Sequence, residues 1–119
     1  MSSQTVLKAL NSDPSVRRRI RFADAVFSIR VGDQQWAFAF RDGTVALADA
    51  GTKPDVEVEI EPAAWAAFQE DVPPPGCHDL YAMAETGRAR VSGDYLTLFR
   101  YTYVLKDVVQ QLATGRMFG

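Results

Sequence analysis

Between Val26 and Glu61 apolar side chains recur at every second residue, and turn residues punctuate the pattern. A period of two belongs to extended backbone, whose successive side chains leave opposite faces of a sheet. Val26 to Val31 puts Phe27, Ile29 and Val31 on one face. Gln35 to Arg41 puts Trp36, Phe38 and Phe40 inward and Ala37 and Ala39 outward. Asp42-Gly43 separates this run from the next. A two-residue type I′ turn needs positive φ at both central residues, so Asp-Gly between alternating runs reads as a hairpin. Thr44 to Asp49 continues with Val45 and Leu47 inward and Ala46 and Ala48 outward. After the linker Ala50 to Pro54, a fourth strand is expected over Asp55 to Glu61, with Val56, Val58 and Ile60 opposite Glu57, Glu59 and Glu61.

Helical signals flank these strands. Ser2 to Leu10 groups Val6, Leu7 and Leu10 on one side of a helix, and Asp13-Pro14 reads as a cap and first turn of a second. That second helix carries Arg17, Arg18, Arg19 and Arg21, read as a solvated face rather than a phosphate or headgroup patch. Pro62 opens a helix in which Trp65 and Phe68 share a face. Pro73-Pro74-Pro75-Gly76 is a stiff bend. Cys77-His78-Asp79 then leads a helix with Leu80, Met83 and Ala84 as its apolar stripe.

The C-terminal third completes the pattern. A helix should stop at Gly87, a short strand should carry Ala89 and Val91 on one face, Gly93 should turn the chain, and Asp94 should cap a helix from Tyr95 to Leu112. On a wheel that last helix has two apolar sides. Leu98, Tyr101, Leu105, Val108, Val109 and Leu112 form a broad stripe that suits the sheet. Leu96, Phe99 and Tyr103 form a second, which calls for a cavity, the N-terminal helices or a second subunit.

This order of elements resembles the sterol carrier protein-like family, in which a Gly-x-Val-x-Gly-Asp type strand and turn leads into the closing helix. The matching residues are Gly87, Val91, Gly93 and Asp94, and the likeness runs from Val26 to Leu112. It implies an α+β fold, a five-stranded mixed β-sheet with helices packed on one face. It further implies non-catalytic binding or carriage of an apolar small molecule, such as a fatty acyl chain, acyl-CoA or a sterol-like lipid, in a tunnel between sheet and helices. By that likeness the ligand-binding candidates are Trp36, Phe38, Leu47, Val58, Trp65, Phe68, Leu80, Met83, Phe99 and Tyr103. The family brings no fixed catalytic set, and no cofactor is expected. The triple-proline bend and the helix of Met83 also resemble bacterial versions of the domain, some joined to or neighbours of α/β-hydrolases. An alternative is therefore an accessory domain with a filled core, which dimerises or scaffolds a partner enzyme.

Bulk properties narrow the classes. With 119 residues the chain is expected to be one domain over 1–119, and 47% hydrophobic content can build a core. A net charge of −2 argues against a general nucleic-acid or anionic-membrane binder, which would more often be basic overall. One cysteine and one histidine leave no disulfide and no cysteine- or histidine-rich metal site. No apolar run reaches membrane-spanning length and no signal-peptide core is recognised, so a cytoplasmic protein without stable membrane insertion is expected, and the Met117-Phe118-Gly119 ending carries no peroxisomal address. The glutamates of the fourth strand lie on an open row, unlike paired catalytic carboxylates facing a cleft. An enzyme with an apolar cone would need a buried acid–base residue from Asp49, His78, Asp79 or Asp94, each better explained as a turn or cap.

Overall fold

The computed structural model describes residues 3–49 and 51–115. The predicted helix start at Ser2, Ala50 of the linker and the Met117 to Gly119 ending lie outside the described residues. In chain order the elements are α1 (Ser3–Ser12), α2 (Pro14–Arg19), β1 (Asp24–Val31), β2 (Gln34–Arg41), β3 (Thr44–Leu47), β4 (Val56–Ile60), α3 (Pro62–Phe68), α4 (Leu80–Glu85), β5 (Ala89–Gly93), α5 (Tyr95–Arg100) and α6 (Thr102–Thr114). The strands form one five-stranded sheet in the order β3-β2-β1-β4-β5. β1 and β4 pair in parallel and the other neighbours are antiparallel, so the fold is α+β with a mixed sheet.

Register explains the inner face. Phe27 lies opposite Phe38 and Val56, Ile29 opposite Trp36 and Val58, and Val58 opposite Val91. These rows bury against the helices as one apolar layer with Val6, Leu10, Phe68, Leu80, Leu105 and Val108. Phe27 and Phe40 meet edge to face with ring centroids 4.9 Å apart, a favoured aromatic geometry.

The helix starts follow the capping residues. Asp13 accepts from the Ser15 and Val16 amides, Asp79 from the Ala82 amide, and Asp94 from the Leu96 amide. Each carboxylate satisfies amides that have no partner inside the helix. Gly93 has φ +120°, and a Cβ there would collide with the Asp55 carbonyl oxygen. Only glycine lets β5 end so close to β4 while Asp94 N–H donates to that same oxygen at 2.8 Å.

Two expectations are corrected. The helix from Tyr95 to Leu112 is broken at Tyr101, whose φ −115°, ψ 25° separates α5 from α6. The Thr102 hydroxyl donates to the Leu98 carbonyl at 2.8 Å, taking the acceptor that a continuous helix offers to an amide. The break lets α5 pack beside β4 while α6 packs on α1, α2 and α4. The third strand ends at Leu47 rather than Asp49. Beyond it the connection to β4 passes over the outer sheet face, where Asp49, Gly51, Thr52 and Pro54 share a hollow with Ser28 and Ala37. On that face Ser28 and Ala39 are buried, Ala37 and Ala48 are half-buried and Ala46 stays exposed.

The exposed flank of β3 is also engaged. The Asn11 carboxamide on α1 donates to the Val45 carbonyl at 2.9 Å and accepts from the Val45 amide at 2.8 Å.

Candidate functional site

The structure separates the ten predicted contact residues into two groups. Phe38, Val58, Trp65, Phe68, Leu80 and Met83 are buried in the apolar layer, and the half-buried Trp36 packs against it. They come from β2, β4, α3 and α4, elements brought together because each presents one apolar stripe to the sheet's inner face. Trp36 and Trp65 stand with ring centroids 6.0 Å apart, and Trp65 meets Phe68 at 6.2 Å. The partial exposure of Trp36 makes the edge between β2 and α3 the place where this aromatic group of the layer meets solvent.

Leu47, Phe99 and Tyr103 lie apart from that group, 43%, 72% and 65% exposed. Leu47 lies on the inward register of β3, opposite Phe38, but β3 is an edge strand and Leu47 its last residue. Phe99 and Tyr103 face outward because they lie on the side opposite the stripe of Leu98, Tyr101 and Leu105 that packs inward. Tyr103 finds a neighbour in α2, where the Arg19 guanidinium lies 4.9 Å from its ring centre. Tyr95 stacks on Phe99 at 6.4 Å, and both rings stay largely exposed.

The hollows on the surface are lined by other residues. One of about 520 Å³ lies where β4 ends and β5 begins, among Arg30, Glu59, Glu61, Arg88 and Arg90. Arg90 faces Glu59 in register, yet among the described residues no ion pair joins them. Two of about 350 and 320 Å³ flank the strap. A fourth, about 460 Å³, lies among Arg17, Arg18, Arg21, Asp42 and Gly43.

The four acid–base candidates take structural places. Asp79 and Asp94 cap helices, His78 keeps 63% of its side chain exposed, and Asp49 is exposed on the strap. Burial opposes ionisation of Asp79, but the Ala82 amide, Lys106 and His78 outweigh it and hold the carboxyl below its usual value. The Cys77 thiol is buried and accepts from Arg88 Nη1 at 3.2 Å. Among the described residues no three His, Cys, Asp or Glu side chains gather as a metal site.

Sequence reading missed two features. Asp107 and Gln111 are buried in α6, and burial raises the Asp107 carboxyl above its ordinary value. Their spacing from Val104, three and seven residues on, is the signal that places them on its buried stripe. Phe22, 86% exposed beside Arg21, is the other; one aromatic residue in a polar stretch carries no periodicity.

A family model described as the SCP-2 sterol transfer family matches residues 4–106. The chain belongs to that family. Solved structures agree on the SCP-2 fold. A crystal structure of sterol carrier protein 2 superposes with a TM-score of 0.65 at 13% identity, covering 90% of this chain and 89% of that one. A conserved hypothetical protein of Thermus thermophilus, described as possibly a sterol carrier protein, gives 0.63 at 16% identity, with 98% and 89% covered. The UbiJ-SCP2 ubiquinone synthesis protein gives 0.59 at 15% identity, with 89% and 90% covered. At such identities the likeness is one of fold. No curated protein matches the chain by sequence. Among the described residues no helix is long and apolar enough to cross a membrane.

Proposed function

We propose that this SCP-2 family chain is a non-catalytic carrier that binds an apolar small molecule, a fatty acyl chain, acyl-CoA or sterol-like lipid, between the sheet and the helices. The observation that carries the reading is the continuous apolar layer formed by Phe38, Val58, Phe68, Leu80 and Met83 in a chain of a sterol transfer family. Trp36 and Trp65 mark the way in, where the layer reaches solvent beside two short helices joined by a proline-rich bend. Met83 suits an adaptable wall, because its unbranched thioether re-packs at low cost. Ligand pockets of this kind are mostly apolar, with few polar groups.

Titration with a fluorescent fatty acid tests it. Saturable binding at one site, weakened by Trp36→Ala, is the expected result. Absence of saturable binding, together with no co-purified lipid in native mass spectra, removes the reading.

A second reading is an accessory domain that dimerises or scaffolds a partner enzyme such as an α/β-hydrolase. It draws on the fold likeness to a ubiquinone synthesis protein and on the two hollows flanking the strap, lined by Ala37, Ala39 and Ala46. Light scattering separates it: a strict monomer with saturable probe binding favours the carrier.

A further inference from the structure

We infer that β5 is a self-pairing surface, on which a second copy of this chain lays its own β5 antiparallel about a twofold axis at Val91. β5 is an outermost strand of the sheet, with β4 as its one neighbour. The ladder shows which of its backbone groups are engaged. Glu61 N–H donates to the Arg88 carbonyl at 2.9 Å, and Asp94 N–H to the Asp55 carbonyl at 2.8 Å. These bonds flank the opposed residues Ile60–Ala89 and Val56–Gly93. Bonded and non-bonded pairs alternate along an antiparallel ladder. Arg90 and Ser92 therefore turn their polar backbone groups toward β4, and Ala89 and Val91 turn theirs away. Among the described residues, no hydrogen bond reaches the amide or carbonyl of Ala89 or Val91 from outside the sheet. The other outermost strand differs, because the Asn11 carboxamide occupies the free flank of β3 at Val45.

β5 carries none of the devices that block a free strand. Proline, a bulge or an inward-pointing charge would serve. Its ladder with β4 is unbroken from Ala89 to Gly93, and its inward side chains are Ala89 and Val91. Both are half-buried at the margin of the apolar layer, so a strand laid beside them would extend that layer.

The occupant follows from the strand's own sequence, which is complementary to itself. With Val91 facing Val91 of the second copy, an antiparallel register sets Ala89 opposite Gly93, Arg90 opposite Ser92 and Arg88 opposite Asp94. No like charges meet, and symmetry makes two Arg88–Asp94 pairs. Slipping two residues toward Arg88 keeps the same backbone bonding but sets Arg90 against Arg90, which like-charge repulsion disfavours. Paired strands this short bury less than the roughly 1,200–2,000 Å² of a stable interface. Tyr95, Leu96 and Phe99 supply further apolar area, since they lie exposed on the helix that begins just beyond Gly93. A twofold contact uses β5 of both copies, and with the flank of β3 occupied the assembly closes at two. This contact is separate from the hollows that flank the strap and does not depend on what the interior holds.

Analytical ultracentrifugation of the full chain over a dilution series tests it, with cross-linking as a second readout. A reversible monomer–dimer equilibrium is expected. Val91→Pro removes an outward amide and leaves the bonds to β4 in place. Ser92→Arg faces Glu57 in its own sheet but Arg90 of the second copy. Each change acts twice by symmetry and should raise the dimer dissociation constant about tenfold or more. Circular dichroism should show both variants folded, and Ala46→Arg at the strap hollow should leave the equilibrium unchanged. Val91→Cys should form a covalent dimer under a mild oxidant, since bonded antiparallel partners hold their Cα atoms about 5.5 Å apart, within disulfide reach. Leu47→Cys on β3 should not, nor should the parent chain, whose Cys77 is buried. A strict monomer, a dimer that the folded β5 variants leave intact, a dimer lost with Ala46→Arg, or Val91→Cys cross-linking no faster than Leu47→Cys would overturn the inference.

Discussion

The Asp79 carboxylate accepts from the Ala82 amide at 2.8 Å and lies 3.3 Å from Lys106 Nζ, so one group both starts α4 and ties it to α6. Asp79→Ala should destabilise the fold by about 1 kcal/mol at pH 7, chiefly through the lost cap. The folded carboxyl titrates below its reference value of 3.8. Its contribution is therefore present above that value and lost as pH falls through the lower folded value. Urea unfolding of both proteins at pH 7 and near pH 3 should show the difference shrink in acid.

Gly93 and Gly87 both have positive φ, +120° and +78°, but only Gly93 has backbone where a Cβ would stand. Gly93→Ala should cost at least about 2 kcal/mol, and Gly87→Ala about 1 kcal/mol, the conformational cost alone. Equal melting temperatures for the two variants would show that the Asp55 backbone can move aside.

The Tyr81 hydroxyl donates to the Thr102 carbonyl at 2.8 Å, joining α4 to the first residue of α6. Burial pushes its pKa from 10.0 to about 12. The folded state thus holds the proton more tightly, and this part of the stability is full below pH 10.0 and lost as pH rises through about 12. Tyr81→Phe should cost about 1 kcal/mol at pH 7 and flatten the alkaline decline in unfolding free energy.

Phe68 and Phe99, alike in the sequence pattern, are parted by the structure, 1% against 72% exposed. Phe68→Ala should cost about 3–5 kcal/mol. Phe99→Ser should stay within about 0.5 kcal/mol. Chemical denaturation of the pair separates core from surface.

The sheet was legible because alternation and turn chemistry are local. Trp36, Phe38 and Phe40 face inward as the period required, and Asp42-Gly43 turns with positive φ at both residues. Asp13, Asp79 and Asp94 cap as their positions predicted. The break at Tyr101 was hidden, because Tyr95 to Leu112 keeps helical periodicity throughout and only tertiary packing divides it. The exposure of Phe99 and Tyr103 was hidden too, since a second apolar stripe does not say whether a neighbour covers it. Burial of Ala39 was hidden as well, since alternation alone assigns it to the outward face.

Asn11 carries a consequence for the protein at cellular concentration. Its carboxamide occupies both outward polar groups of Val45, standing where a sixth strand would pair. An unguarded edge invites another chain to add a strand and begin aggregation. One side-chain amide, placed by a helix rather than by the sheet, thus helps keep a crowded population of these molecules from sticking edge to edge.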